Sequence, residues 1–133
     1  MNEHVNPPQL AKPAGFSHAV IAPPGRTVHL SGQTAMDTDG TIIAVGDIVG
    51  QVRQCLANLI TALTAAGGRP EHLVSTRIYL VDVPAYRRHA KEIGIVWREI
   101  VGRQYPATAA IGVDRLWDDE ALVEIEGIAV VPQ

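Results

Sequence analysis

Cysteine is nearly missing from these 133 residues: Cys55 stands alone, so no disulfide can form within the chain. A lone thiol fits a reducing compartment, and the cytoplasm is the expected location. Cys55 falls on an apolar stripe and reads as a small buried residue, not a nucleophile. Charge is sparse as well. Only 19% of residues are charged, which hints that a partner covers part of the surface. A basic excess is absent: 11 Lys and Arg stand against 14 Asp and Glu, a net charge of −3. Nucleic-acid binding needs cations gathered on one face. The densest group here, Arg87, Arg88, His89 and Lys91, amounts to one helix turn. No run approaches the roughly 18 apolar residues of a membrane span. Met1 to Leu10 lacks the apolar stretch of a secretion signal. Also missing are metal-ligand spacings, a Gly-rich phosphate loop and a Ser/His/Asp pattern, so neither metal nor cofactor is expected. His18 and His29 accordingly read as strand or interface residues.

What is present is core material. Hydrophobic residues make up 47% of the chain, and the length suits one domain. Residues 1–14 hold Pro7, Pro8 and Pro13 with little periodicity, and are expected to form a flexible arm ahead of a single domain over 15–133. Ser17–Ile21 and Thr27–Ser31 read as strands returning on each other through Pro23-Pro24-Gly25. A short extended piece is expected at 41–45. Asp47 is a good N-cap for a helix whose stripe is Ile48, Val52, Cys55, Leu56, Leu59, Ile60 and Leu63. Gly67 and Gly68 stop it. Gln51, Arg53, Gln54 and Asn58 are expected on or beside its wet side. Leu73–Val81 is rich in β-branched residues and reads as a strand. Pro84 opens a second helix, with Tyr86, Ala90, Ile93 and Trp97 on one face and Gly102 ending it. Ala107–Val113 and Leu122–Val131 are the last strands.

This order predicts an α+β domain with one mixed, mostly antiparallel sheet and two helices on one face. The other face is then uncovered. The last strand alternates Val123, Ile125, Ala129 and Val131 against Leu122, Glu124, Glu126, Ile128 and Val130, so both of its sides are substantially apolar. Tyr79 and Val81 add to the uncovered side. Such a face usually marks an interface, and a closed symmetric homo-oligomer is the expected solution.

Several stretches, taken in order, resemble the Rid (YjgF-like) family. They are Gly15-Phe16-Ser17-His18-Ala19-Val20, Leu30-Ser31-Gly32-Gln33, and Gly46-Asp47-Ile48 with Gln51 and Gln54. Ala65-Ala66-Gly67, Tyr79-Leu80-Val81-Asp82, Tyr105-Pro106-Ala107 and Val123-Glu124-Ile125-Glu126-Gly127-Ile128-Ala129 continue the match, which spans roughly residues 13–131. The resemblance implies a chorismate-mutase-like (YjgF-like) fold, a homotrimer, and pockets at subunit boundaries. It also implies hydrolysis of reactive enamines and imines such as 2-aminoacrylate, with release of ammonia. Members place in the pocket an aromatic residue, a Ser-Gly pair, an Arg after Pro-Ala, and the first Glu of Glu-x-Glu. Here these match Phe16, Ser31 and Gly32, and Glu124. Phe16 lacks the usual tyrosine hydroxyl. The arginine is missing: Thr108 follows Pro106-Ala107.

In deaminating members that arginine holds the substrate carboxylate. Threonine supplies neither the charge nor the two-pronged geometry. The resemblance therefore implies an imine or enamine substrate other than the usual amino-acid-derived one, with Thr108 and Ala110 lining the pocket. Glu124 is the candidate base, since imine hydrolysis needs a group to take a proton from the attacking water. Glu124 and Glu126 point the same way from one strand, and both could instead pair with Arg77 or Arg115. Ser31 and Gly32 offer a hydroxyl and a backbone N–H, or merely a strand-end turn. Two alternatives stay open: a non-catalytic trimer that binds or senses a small molecule, and, against the charge balance, an endoribonuclease.

Overall fold

The structure, a computed structural model, describes residues 1–133. Strands β3 (Arg26–Gln33), β4 (Leu73–Leu80), β5 (Ala107–Gly112) and β6 (Val123–Val131) form one sheet in the order β3-β6-β4-β5. β6 runs antiparallel to both of its neighbours, and β4 and β5 are parallel. A parallel pair needs a crossover of about a dozen residues or more. Helices α2 (Val83–Arg88) and α3 (Ala90–Ile100) supply it. The mixed sheet with all its helices on one face is the expected α+β architecture.

β6 is central because every second residue is apolar. Val123, Ile125, Ala129 and Val131 are buried beneath the helices. Helix α1 (Ile48–Ala65) lays Ile48, Val52, Cys55, Leu56, Leu59 and Leu63 onto that surface. Each buried Leu contributes about 1.5–3 kcal/mol. As expected, the Asp47 carboxylate caps α1, accepting from the Gly50 N–H at 3.0 Å. Gly67 ends it at φ 89°. No helix is long and apolar enough to cross a membrane.

Four expectations change. The segment expected to be a loose arm contains strand β1 (Glu3–Val5), paired with β2 (Ala19–Ile21) as a separate two-stranded sheet. The hairpin expected between 17–21 and 27–31 is therefore absent: β2 pairs with β1, and β3 with β6. The reason lies in the connection. Pro23 and Pro24 have no N–H to carry a ladder forward. Gly25 instead lets the chain pass β6 so closely that a Cβ there would fall 2.5 Å from the Val131 carbonyl oxygen. The piece at 41–45 makes only one bridge, Met36 to Ile42. The single second helix is two, broken at His89, whose Nδ1 hydrogen-bonds the Ala85 carbonyl oxygen at 2.8 Å and competes with the backbone there.

Gln51 is a further correction. Expected on the wet side, it is fully buried. Its Nε2 donates to the Glu120 carbonyl at 2.9 Å, and its Oε1 accepts from the Leu122 N–H at 2.8 Å. The side chain thus clamps the backbone just before Val123 and Glu124. Asn58 plays a similar part for the loop after β3, donating to the carbonyls of Thr34 (3.2 Å) and Met36 (2.9 Å).

Candidate functional site

The Ser31-Gly32 pair sits in an irregularity of the β3–β6 ladder. Leu30 pairs with Gly127 and Gln33 with Ile125, so two residues of β3 oppose the single Glu126 of β6. This is a β-bulge, which breaks the ladder locally and re-aims side chains. Gly32 gives the Glu124 carboxylate room to rest against the bulge: a Cβ there would overlap it and push the side chain aside. Ser31 is exposed beside it. Ser31, Gly32 and Glu124 therefore form one group on the sheet face that no helix covers.

The two glutamates of β6 differ in their partners. Glu126 is engaged. Its Oε1 accepts from the Tyr79 hydroxyl at 2.5 Å and lies 3.7 Å from the Arg77 guanidinium. The hydrogen bond to Glu126 is the main reason the Tyr79 phenol titrates above its ordinary value. Arg115 is spent on Asp119, 2.6 Å away. Glu124 has no ion pair and no side-chain hydrogen bond within the chain, so it is the freer carboxylate. On the helix side its charge adds to burial, the larger cause, in pushing the Cys55 thiol up to about 12. Cys55 is thus inert, as its place in the apolar stripe suggests.

Phe16 and Thr108 form a second group. The Ser17 hydroxyl donates to the Tyr105 carbonyl at 2.6 Å and its N–H to the Pro106 carbonyl at 3.1 Å, which pins Phe16 beside the start of β5. The Phe16 ring meets His18 edge-on, with centroids 5.1 Å apart. A hollow of about 310 Å³ there is bordered by Phe16, His18, Ser75, Arg77 and Thr108, and by none of Ser31, Gly32 or Glu124. Thr108 Oγ1 lies 2.8 Å from Thr76 Oγ1. Ala110 pairs with Ile78. Thr108 and Ala110 thus share the helix-facing side of the sheet with the buried Thr76 and Ile78, and Glu124 points to the other side. Within one chain the candidate residues fall into two sets that do not meet. His29 borders a smaller hollow with Arg77 and Glu126.

Sequence reasoning missed Gln51 and Asn58 as positioning residues. Gln51 lies at the helical spacing of the apolar stripe, next to Val52, and that was the available signal.

A mixed sheet with one helical layer, a Ser-Gly bulge and a glutamate against it defines the YjgF-like class of fold. The family model described as Endoribonuclease L-PSP matches residues 8–131. A RutC family protein of Pyrococcus horikoshii is 34% identical over 97% of this chain and 98% of its own length. A 2-iminobutanoate/2-iminopropanoate deaminase of Dermatophagoides farinae is 30% identical, covering 96% and 94%. Among solved structures, a Rid family protein from Yersinia pestis superposes with a TM-score of 0.86 at 35% identity, covering 98% of each chain. The YjgF product of E. coli does so with 0.69 at 26%, covering 86% and 87%. The chain belongs to the Rid (YjgF/RutC, Endoribonuclease L-PSP) family.

Proposed function

We propose that this protein is an imine or enamine hydrolase whose pocket is completed between copies of the chain, in a homotrimer. One copy contributes Ser31, Gly32 and Glu124, and its neighbour contributes Phe16, Thr108 and Ala110. The observation that carries this reading is the unpaired Glu124 carboxylate held against the Ser31-Gly32 bulge on an uncovered sheet face. In the reaction Glu124 takes a proton from a water that attacks the C=N carbon. The carbinolamine then loses its nitrogen as ammonia, with the proton returned by Glu124, and a carbonyl compound remains. An enamine first takes a proton at its β-carbon to enter the same path. The bulge supplies the Ser31 hydroxyl and backbone N–H groups for the developing alcohol oxygen. The deaminase names among the relatives support the reaction class.

Thr108 argues for a substrate other than 2-aminoacrylate. Losing a charge-assisted pair to a carboxylate costs about 2–5 kcal/mol, enough to suppress turnover of a carboxylated imine held only there. The test is ammonia release from freshly generated 2-aminoacrylate and from neutral primary imines. We expect acceleration on neutral imines, lowered by about 10²–10⁴-fold in Glu124→Gln. No acceleration on any imine by an intact oligomer overturns the reading. The same Thr108 favours one alternative, a binding or sensing trimer without turnover. A ligand-dependent rise in melting temperature without product identifies it. Nuclease activity fits poorly with a net charge of −3.

A further inference from the structure

Trp117 is 92% exposed, although the loop that carries it, residues 113–122 between β5 and β6, is held in place. At one end the Val113 N–H donates to the Leu80 carbonyl at 2.9 Å, and at the other the Leu122 carbonyl accepts from the Val81 N–H at 3.1 Å. Arg115 braces the loop through Asp119, 2.6 Å away. A braced loop that keeps an indole in water leaves a large apolar surface to a partner. Around Trp117 stand the carboxylates of Asp114, Asp118, Asp119 and Glu120, against the single cation Arg115. The helical layer carries the opposite sign. Arg87 and Arg88 close α2, and Lys91 lies in the first turn of α3. All three are exposed, and none takes part in an ion pair. One turn beyond Lys91, on the same face of α3, Ile95 is the most exposed large apolar side chain of the helices, at 43%.

The two patches leave the same end of the sheet. β4 and β5 are parallel and in register, with Leu80 opposite Gly112, so α2 and the Trp117 loop start side by side. Yet no ion pair joins them within the chain. We propose that two copies of the chain dock here reciprocally, the Trp117 loop of each lying on Arg87, Arg88, Lys91 and Ile95 of the other. The indole covers Ile95 and takes a cation over its face, for which Trp is the best of the aromatic rings. The loop carboxylates attract the partner's cations and repel a second loop, which sets the orientation. A second copy is the occupant that both patches fit, because each chain holds both halves of the match: acid with Trp117, base with Ile95. Patches set side by side suit a two-fold axis, on which both contacts form at once. None of these residues belongs to the proposed imine pocket. Where copies already form a closed oligomer, this contact pairs two of them.

The test is the mass of the full-length protein by equilibrium sedimentation. At low salt we expect it to double between about 10 μM and 1 mM, the range of a small interface. The doubling recedes as salt rises from about 0.05 to 0.5 M, which screens the facing charges. Trp117→Ala weakens pairing by about ten-fold or more. Two charge-reversed variants give the sharpest comparison. Arg88→Glu with Lys91→Glu makes both patches acidic, and Asp114→Lys with Glu120→Lys makes both basic. All four side chains are exposed, so both variants should unfold at the wild-type urea concentration. Each variant alone stays unpaired, and an equimolar mixture recovers the doubled mass, because every reversed patch then meets its complement. A mass that does not change with concentration at low salt overturns the proposal and assigns the patches to a foreign partner. So does pairing retained by either reversed variant, or a mixture that stays unpaired. Ammonia release is read at no step, so this contact and the imine chemistry stand or fall separately.

Discussion

Gln51→Leu separates a structural glutamine from an exposed one. The substitution preserves volume closely and adds apolar surface, so a residue on the wet side of a helix tolerates it within about 0.5 kcal/mol. At the buried position of Gln51 it strips three partners at once: the Leu122 N–H, bonded at 2.8 Å, the Glu120 carbonyl, bonded at 2.9 Å, and more weakly the Ala44 carbonyl at 3.4 Å. Each backbone group left unpaired in the interior costs about 1–3 kcal/mol. The apolar side chain returns a part of that by burial, so a net loss of roughly 2–4 kcal/mol is expected, a large share of the stability of an ordinary domain. Urea unfolding at fixed protein concentration measures it, with an unchanged slope showing that the two states still differ by the same surface. Gln54→Leu, one position removed from the core stripe and bonded only to Asn58, is the control and should stay near neutral. If Gln51→Leu unfolds at the wild-type urea concentration, the clamp on the start of β6 is not a real constraint, and the account of how Glu124 is held loses its support.

Three further outcomes follow from the same geometry. Gly32→Ala places a methyl group against the Glu124 carboxylate; it should leave stability nearly intact but move that carboxylate, cutting imine turnover by at least about ten-fold, and unchanged kinetics would contradict the close approach. Cys55, with its thiol pushed up to about 12 from an ordinary 9.0, should resist iodoacetamide in the native protein and react once urea unfolds it. The sign of its linkage to stability follows from the raised value: the folded state holds this proton more tightly. Its contribution is therefore fully present below about pH 9 and is lost as pH climbs toward 12, which pH-dependent unfolding of Cys55→Ala against wild type measures. Thr108→Arg should bring in turnover of 2-aminoacrylate, read as ammonia release, because it restores a forked cation for the carboxylate; a variant that stays folded and oligomeric yet inert on that substrate argues against the carboxylate explanation.

Local patterns were legible from the chain alone wherever one period dominated. The α1 stripe from Ile48 to Leu63, the Asp47 cap, and the alternation along β6 are properties of neighbouring residues, and each element formed where its spacing required. Family membership could be read the same way, because its motifs are short and lie in order. Pairing choices were not local. Whether β3 returned onto β2 or onto β6 depended on a strand a hundred residues away and on two prolines that could not extend a ladder. Gln51 looked like any polar helix residue until β6 brought the Leu122 N–H and the Glu120 carbonyl to it. The Ser31-Gly32 bulge, the unpaired state of Glu124 and the separation of Thr108 from it arise from register, which only the assembled sheet decides.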